Sequence, residues 1–217
     1  MQWLSKLRQH LLTGVSYAIP FVACGGILIA AALAFAPQGA NHAPDPSGSP
    51  ALMFMLKIGV VSFKLMLAVL GAYISYSIAG KPGLVAGAIG GFVCNDLNLL
   101  AFFPDPSKQP VSAGFLGAVV AGLLAGYVVD AIKKIPTHKF VKPVMPILII
   151  PIVSSMIVGA AMLLLLGPPI ASVMETMSHK LQDMQTGNAI FLAGGLAIVF
   201  ISAIAVTAHR RLTSPAF

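Results

Sequence analysis

The chain has 217 residues, 58% of them hydrophobic and 9% charged, with a formal net charge of +7 and a mean hydropathy of +0.92. Soluble domains carry roughly 25% charged residues, so this composition excludes a surface covered by water on all sides. The basic excess does not point to nucleic acid, because Lys and Arg sit in short loops between apolar runs, where they orient spans in a bilayer.

The first apolar run, Leu11–Ala36, follows Lys6 and Arg8 and ends in Ala34-Phe35-Ala36, which mimics a signal-peptide cleavage site. It is far longer than the ~7–15 apolar residues of a signal peptide, so an uncleaved first span is expected. Pro20 lies inside it, removes one backbone hydrogen bond and should kink the helix. The segment Pro37–Pro50, rich in Pro, Gly and Ser, reads as an irregular connection. Further apolar runs follow at Leu52–Ala79, Leu84–Phe103, Val111–Ile132, Pro143–Leu166 and Asn188–Ala208. At a rise of ~1.5 Å per residue each can cross ~30 Å of hydrocarbon. The third is the weakest, because Asn95, Asp96 and Asn98 interrupt it.

Between the fifth and sixth runs, Ile170, Val173, Met174, Met177, Leu181 and Met184 fall on one face at helical spacing, away from Glu175, His179, Lys180 and Asp183. That pattern predicts an amphipathic helix lying in the interface. The expected fold is an all-α integral membrane protein of about six transmembrane helices, with this interfacial helix between the fifth and sixth. An N-terminus inside places Lys6, Arg8, Lys81, Lys133, Lys134, Lys139, Lys142, Arg210 and Arg211 on the inner side, against Lys108 and Lys180 outside. The bias favours both ends in the cytoplasm. A third run that only dipped in and returned would put Lys133–Lys142 outside, so six full crossings are expected.

Small residues recur at Gly25-Gly26, from Gly87 to Gly91, and at Gly114, Gly117, Gly122 and Gly126. In lipid, where apolar burial gives helices no reason to associate, such residues let backbones approach closely. Cys24 and Cys94 lack paired spacing and read as small core residues. Ionisable groups inside spans carry a cost of ~2.5–3.5 kcal/mol at mid-bilayer. Lys57 and Lys64 share one helix face, from which Lys64 can snorkel to the interface. The candidates for a solute path are therefore Asn95, Asp96, Asn98 and Lys64. Asp130 precedes Lys133 and Lys134 at i+3 and i+4, a solvated helix end. No catalytic residue, metal site or cofactor motif is found: HExxH, CxxC and GxxxxGK[ST] are missing, and the histidines are scattered.

Three stretches taken together, HLLTGVSYAIPFVACGGILIA (His10–Ala30), LGAYISYSIAGKPGLVAGAIGGF (Leu70–Phe92) and GFLGAVVAGLLAGYVVDAIKK (Gly114–Lys134), with PILIIPIVSSMIVGAAMLLLLGPPIASVM (Pro146–Met174) extending them, resemble a known family. It is the fructose-type enzyme IIC membrane permease of the bacterial phosphoenolpyruvate-dependent sugar phosphotransferase system. The resemblance implies a permease that carries a fructose-like sugar across the inner membrane while IIA and IIB partners phosphorylate it. It also implies a homodimer in the lipid, built by an N-terminal five-span half and its amphipathic linker, residues 1–187 here. The alternative is a non-transporting membrane interaction or dimerisation protein derived from such a permease. The family's sugar-contacting motifs, FDMGGPxNK and GITEGAIPF, do not occur in this sequence, so no substrate residue is carried over. Residues 188–217 are expected to depart from the family, as in a truncated chain whose tail arises from a shifted reading frame.

Overall fold

The computed structural model describes residues 2–38, 44–97, 112–135 and 144–180. The helices there include α1 (Gln2–Ala34), α2 (Pro50–Ala79), α3 (Lys81–Val93), α4 (Gly114–Lys133) and α5 (Ile150–Ala161), and residues 167–180 are helical as well. An all-α membrane class is what the sequence leads one to expect, and four helical stretches are long and apolar enough to cross a bilayer: Trp3–Ala34, Pro50–Ala79, Gly114–Lys133 and Met145–Lys180. The third expected run contributes only α3, with 13 residues, or about 20 Å of helix against ~30 Å of hydrocarbon. Its remainder from Asn98, and the sixth run Asn188–Ala208, lie outside the described residues.

The chain divides into two compact units, Met1–Ser172 and Val173–Phe217. In the first, α1 packs chiefly on α2, α3 and α4 pack on α2 and on each other, and α5 packs on α3 and α4. Neighbouring positions fix the directions. Gly14 meets Leu70 and Ile74 whereas Gly25 meets Gly59 and Phe63, so α1 runs antiparallel to α2. Gly83 meets Ser75 and Gly91 meets Leu67, so α3 is antiparallel to α2 as well. Gly122 meets Gly71 and Ile74 while Gly126 meets Ile78, which makes α4 parallel to α2.

Glycine makes this closeness possible. A Cβ on Gly87 would overlap the carbonyl oxygen of Gly71 and lie 2.7 Å from Ser75 Cβ; one on Gly25 would lie 2.9 Å from Gly59 O. Gly26 faces open space, so of the adjacent pair in α1 only the first is needed for packing. The core is accordingly built of small residues, Ala86, Ala118, Ala121 and Ala125, filled by Leu70, Ile74, Val129, Val158 and Met162. Ser62 Oγ ties α2 to α1 by donating to Phe21 O at 2.8 Å.

Between α1 and α2, Asp45 accepts from Ser47 N at 2.9 Å, and the Ser47 hydroxyl and N–H hold its carboxyl below the usual range. Pro50 opens α2, where its missing N–H costs nothing. Gly80, at φ 70° and ψ −158°, separates α2 from α3 in a conformation that side-chain-bearing residues avoid. The ammonium of Lys133 at the end of α4 donates to Ala79 O, one of the terminal carbonyls of α2 that lack a partner within the helix.

Wider π-helical turns flank α5 at Met145–Ile149 and Met162–Leu166. Each lies just before proline: Pro151 in one case, Pro168-Pro169 in the other. Proline cannot donate and crowds the carbonyl four residues back; Ile150 N and Gly167 N instead reach five back, to Met145 O and Met162 O. In the second unit the described residues 173–180 are helical, with His179 Nε2 3.9 Å from Glu175 Oε1. Of the two cysteines expected in the core, Cys94 is buried but Cys24 is exposed on α1, where it lines an open groove with Ile58 and Ser62 of α2.

Candidate functional site

The polar residues singled out in the third apolar run lie where α3 ends. Backbone turns close that end: Asn95 N donates to Phe92 O at 3.0 Å and Asp96 N to Val93 O at 3.1 Å. The Asn95 side chain reaches sideways, donating from Nδ2 to Lys64 O at 3.1 Å as well as to Phe92 O at 2.9 Å. Lys64 lies 14 residues into α2, about 21 Å along it, so the tip of α3 abuts the middle of the long helix rather than its end.

On the other side, Cys94 O accepts from Gly114 N at 3.2 Å and from Ser112 Oγ at 3.0 Å, so α4 begins against the end of α3. Four polar residues, Lys64, Asn95, Asp96 and Ser112, thus meet at one level of the bundle. The structure joins Asn95 to the backbone of Lys64, not to its ammonium. Lys64 and Lys57 are both exposed on α2. Asp96 is half-buried, and Asn98 lies outside the described residues. An amide, a carboxylate and a hydroxyl can hydrogen-bond a polyhydroxylic solute. Among the described residues, no three His, Cys, Asp or Glu are grouped to hold a metal.

A second cluster was not evident from the sequence. His10 Nδ1 lies 2.7 Å from Ser77 Oγ, which also lies 2.9 Å from Ile74 O. Which of the two side chains donates to the other follows the imidazole tautomer. One helical turn or two away, Tyr17 stacks on Tyr73, with ring centroids 3.8 Å apart and planes at 8°. Tyr76 meets Tyr73 edge-on at 6.1 Å. Gly14 is what admits this contact, since a Cβ there would overlap the side chain of Ile74. The stretch TGVSY faces Leu70–Ile74 here, and His10 just before it meets Ser77 of YSIAGKPG. The available signal was spacing: His10 and Tyr17 are seven apart, Tyr73 and Ser77 four, each pair on one helix face.

The family model for the phosphotransferase system EIIC matches residues 12–214, nearly the whole chain. The chain belongs to the EIIC family. It is similar to the fructose-like permease IIC component 2 of Escherichia coli K12, with 42% identity over 202 residues, covering 92% of this chain and 52% of the relative. The fructose-specific EIIC component of Haloferax volcanii is 38% identical over 199 residues, covering 89% and 53%. A Bacillus subtilis protein named as the fructose-specific EIIABC component is 34% identical over 200 residues, covering 88% of this chain and 29% of that one. This EIIC-family chain therefore spans about half the length of the first two curated relatives, or less in the third. No solved structure matches it.

Proposed function

We propose that the chain is the membrane component of a fructose-type phosphotransferase permease, carrying a fructose-like sugar inward while partner proteins phosphorylate it. The observation that carries this reading is the family match over residues 12–214, with 42% identity to a fructose-like permease component. IIA and IIB are the partners. Relatives named EIIABC and EIIB'BC components, such as those of Bacillus subtilis and Escherichia coli, support that assignment. Phosphate reaches the sugar from those partners, and this chain supplies the path.

In that path Asn95, Asp96 and Lys64, with Asn98, are the solute-contacting candidates. Their support is the meeting of α2, α3 and α4 at one polar level. An amide, a carboxylate and an ammonium at this junction can exchange hydrogen bonds with sugar hydroxyls. Residues 1–187 form the half that builds a homodimer, and 188–217 follow it. The protein sits in the inner membrane with both ends in the cytoplasm, an orientation supported by the basic residues Lys6, Arg8, Lys81, Lys133 and Lys134.

Uptake of radiolabelled fructose tests this in cells lacking their own fructose permeases but retaining IIA and IIB. Saturable accumulation that depends on the chain is expected. A chain that inserts and dimerises without accumulation would favour the interaction-protein alternative.

A further inference from the structure

The outward face of α1 carries a furrow of about 360 Å³ lined by Ser5, Arg8, Gln9, Leu12, Thr13 and Ser16. It runs 11 residues along the helix, about 17 Å. Because α1 packs chiefly on α2, this face meets whatever surrounds the bundle. Arg8 stands three residues before the apolar run that begins at Leu11, and a basic residue flanking a span is favoured at an anionic headgroup layer. Its guanidinium has no ion-pair partner among the described residues, where the pairs are Lys134–Asp130 and His179–Glu175. No acidic residue occurs anywhere in α1.

Further along, the furrow is polar only in name. Thr13 Oγ1 donates to Gln9 O at 2.9 Å and Ser16 Oγ to Leu12 O at 2.8 Å, so both hydroxyl protons are spent inside the helix. What remains is a shallow channel along Leu12, Thr13 and Ser16, with Gln9 beside it and the guanidinium of Arg8 at its mouth. An occupant complementary to it is anionic at one end and apolar along the rest.

We propose that this furrow seats one anionic glycerophospholipid, its phosphate on Arg8 and an acyl chain along Leu12, Thr13 and Ser16. Arg forms forked hydrogen bonds to phosphate, and a basic side chain at an anionic leaflet is worth a factor of about fivefold in binding. Lys6 supplies the control. It lies in the same stretch and carries the same charge but does not line the furrow.

Native mass spectrometry of the full chain, released from detergent with equal phosphatidylglycerol and phosphatidylcholine, tests the proposal. One phosphatidylglycerol should be retained in preference. Arg8→Gln should lower that preference about fivefold, Lys6→Gln should leave it, and Ser16→Leu should remove it by filling the channel. Circular dichroism of each variant should show unchanged helicity. Equal loss in Lys6→Gln, no preference in the unaltered chain, or retention in Ser16→Leu would overturn the proposal. So would displacement of the lipid by millimolar inorganic phosphate, which would mark a site for free anions.

Discussion

Gly71 on α2 and Gly87 on α3 meet backbone to backbone: a Cβ built on either would overlap the carbonyl oxygen of the other. The contact belongs to a longer seam in which Gly83 faces Ser75 and Gly91 faces Leu67. It holds α3 rigidly on α2, and so decides where Asn95 arrives.

Gly87→Ala should therefore destabilise the bundle by about 1–3 kcal/mol, the usual cost of overpacking a filled interior. Gly26→Ala is the matched control. With nothing within 4 Å of the added methyl, it should be neutral or stabilise by up to about 1 kcal/mol through helix propensity. Reversible unfolding in mixed micelles measures both. Equal effects would show that the seam is not packed as described.

Lys133→Met should unfasten the α2–α3 turn. The ammonium on Ala79 O is a charge-assisted bond across the bundle, worth about 1.5–3 kcal/mol. Lys134→Met removes only the exposed pair with Asp130, at 2.8 Å and with side chains 75% and 43% exposed. Such pairs contribute about 0–1 kcal/mol. The two unfolding free energies should differ in that order.

His10 and Ser77 should be coupled. In a double-mutant cycle of His10→Ala and Ser77→Ala, the interaction term should come to about 1 kcal/mol. Strict additivity would place the imidazole elsewhere.

Asn95→Ala removes the side-chain bonds to Lys64 O and Phe92 O. If the junction lines the sugar path, the variant should fold and reach the membrane, yet raise the KM for fructose at least several-fold. Asp96→Asn, which keeps the shape and removes the charge, separates hydrogen bonding from electrostatics. A loss of stability with unchanged transport would leave Asn95 a structural residue alone.

Helix positions were largely legible in the sequence. The runs Leu52–Ala79 and Val111–Ile132 correspond to Pro50–Ala79 and Gly114–Lys133 within three residues, because apolar length and the bounding Pro and Gly speak directly to helix ends. The run Leu84–Phe103 does not: α3 stops at Val93, where Asn95 finds a carbonyl on another helix that no local pattern reveals. Nor does Leu11 mark the start of α1, since Gln2–His10 contains no breaker and stays helical. The fifth run is bounded at Leu166, yet the backbone remains helical past Pro168-Pro169 by widening one turn. Of the candidate site, Asn95, Asp96 and Lys64 were visible as ionisable or amide groups in apolar surroundings. The His10–Ser77 and Tyr17–Tyr73 contacts depend on how α1 registers against α2, which Gly14 sets and composition does not disclose.

The most direct measurement is phosphorylation of radiolabelled fructose by membrane vesicles carrying this chain, supplied with phosphoenolpyruvate and the soluble phosphotransferase proteins. Sugar phosphate should form saturably, and only when the chain, IIA and IIB are all present. Vesicles with well-inserted chain that form none would contradict the permease reading.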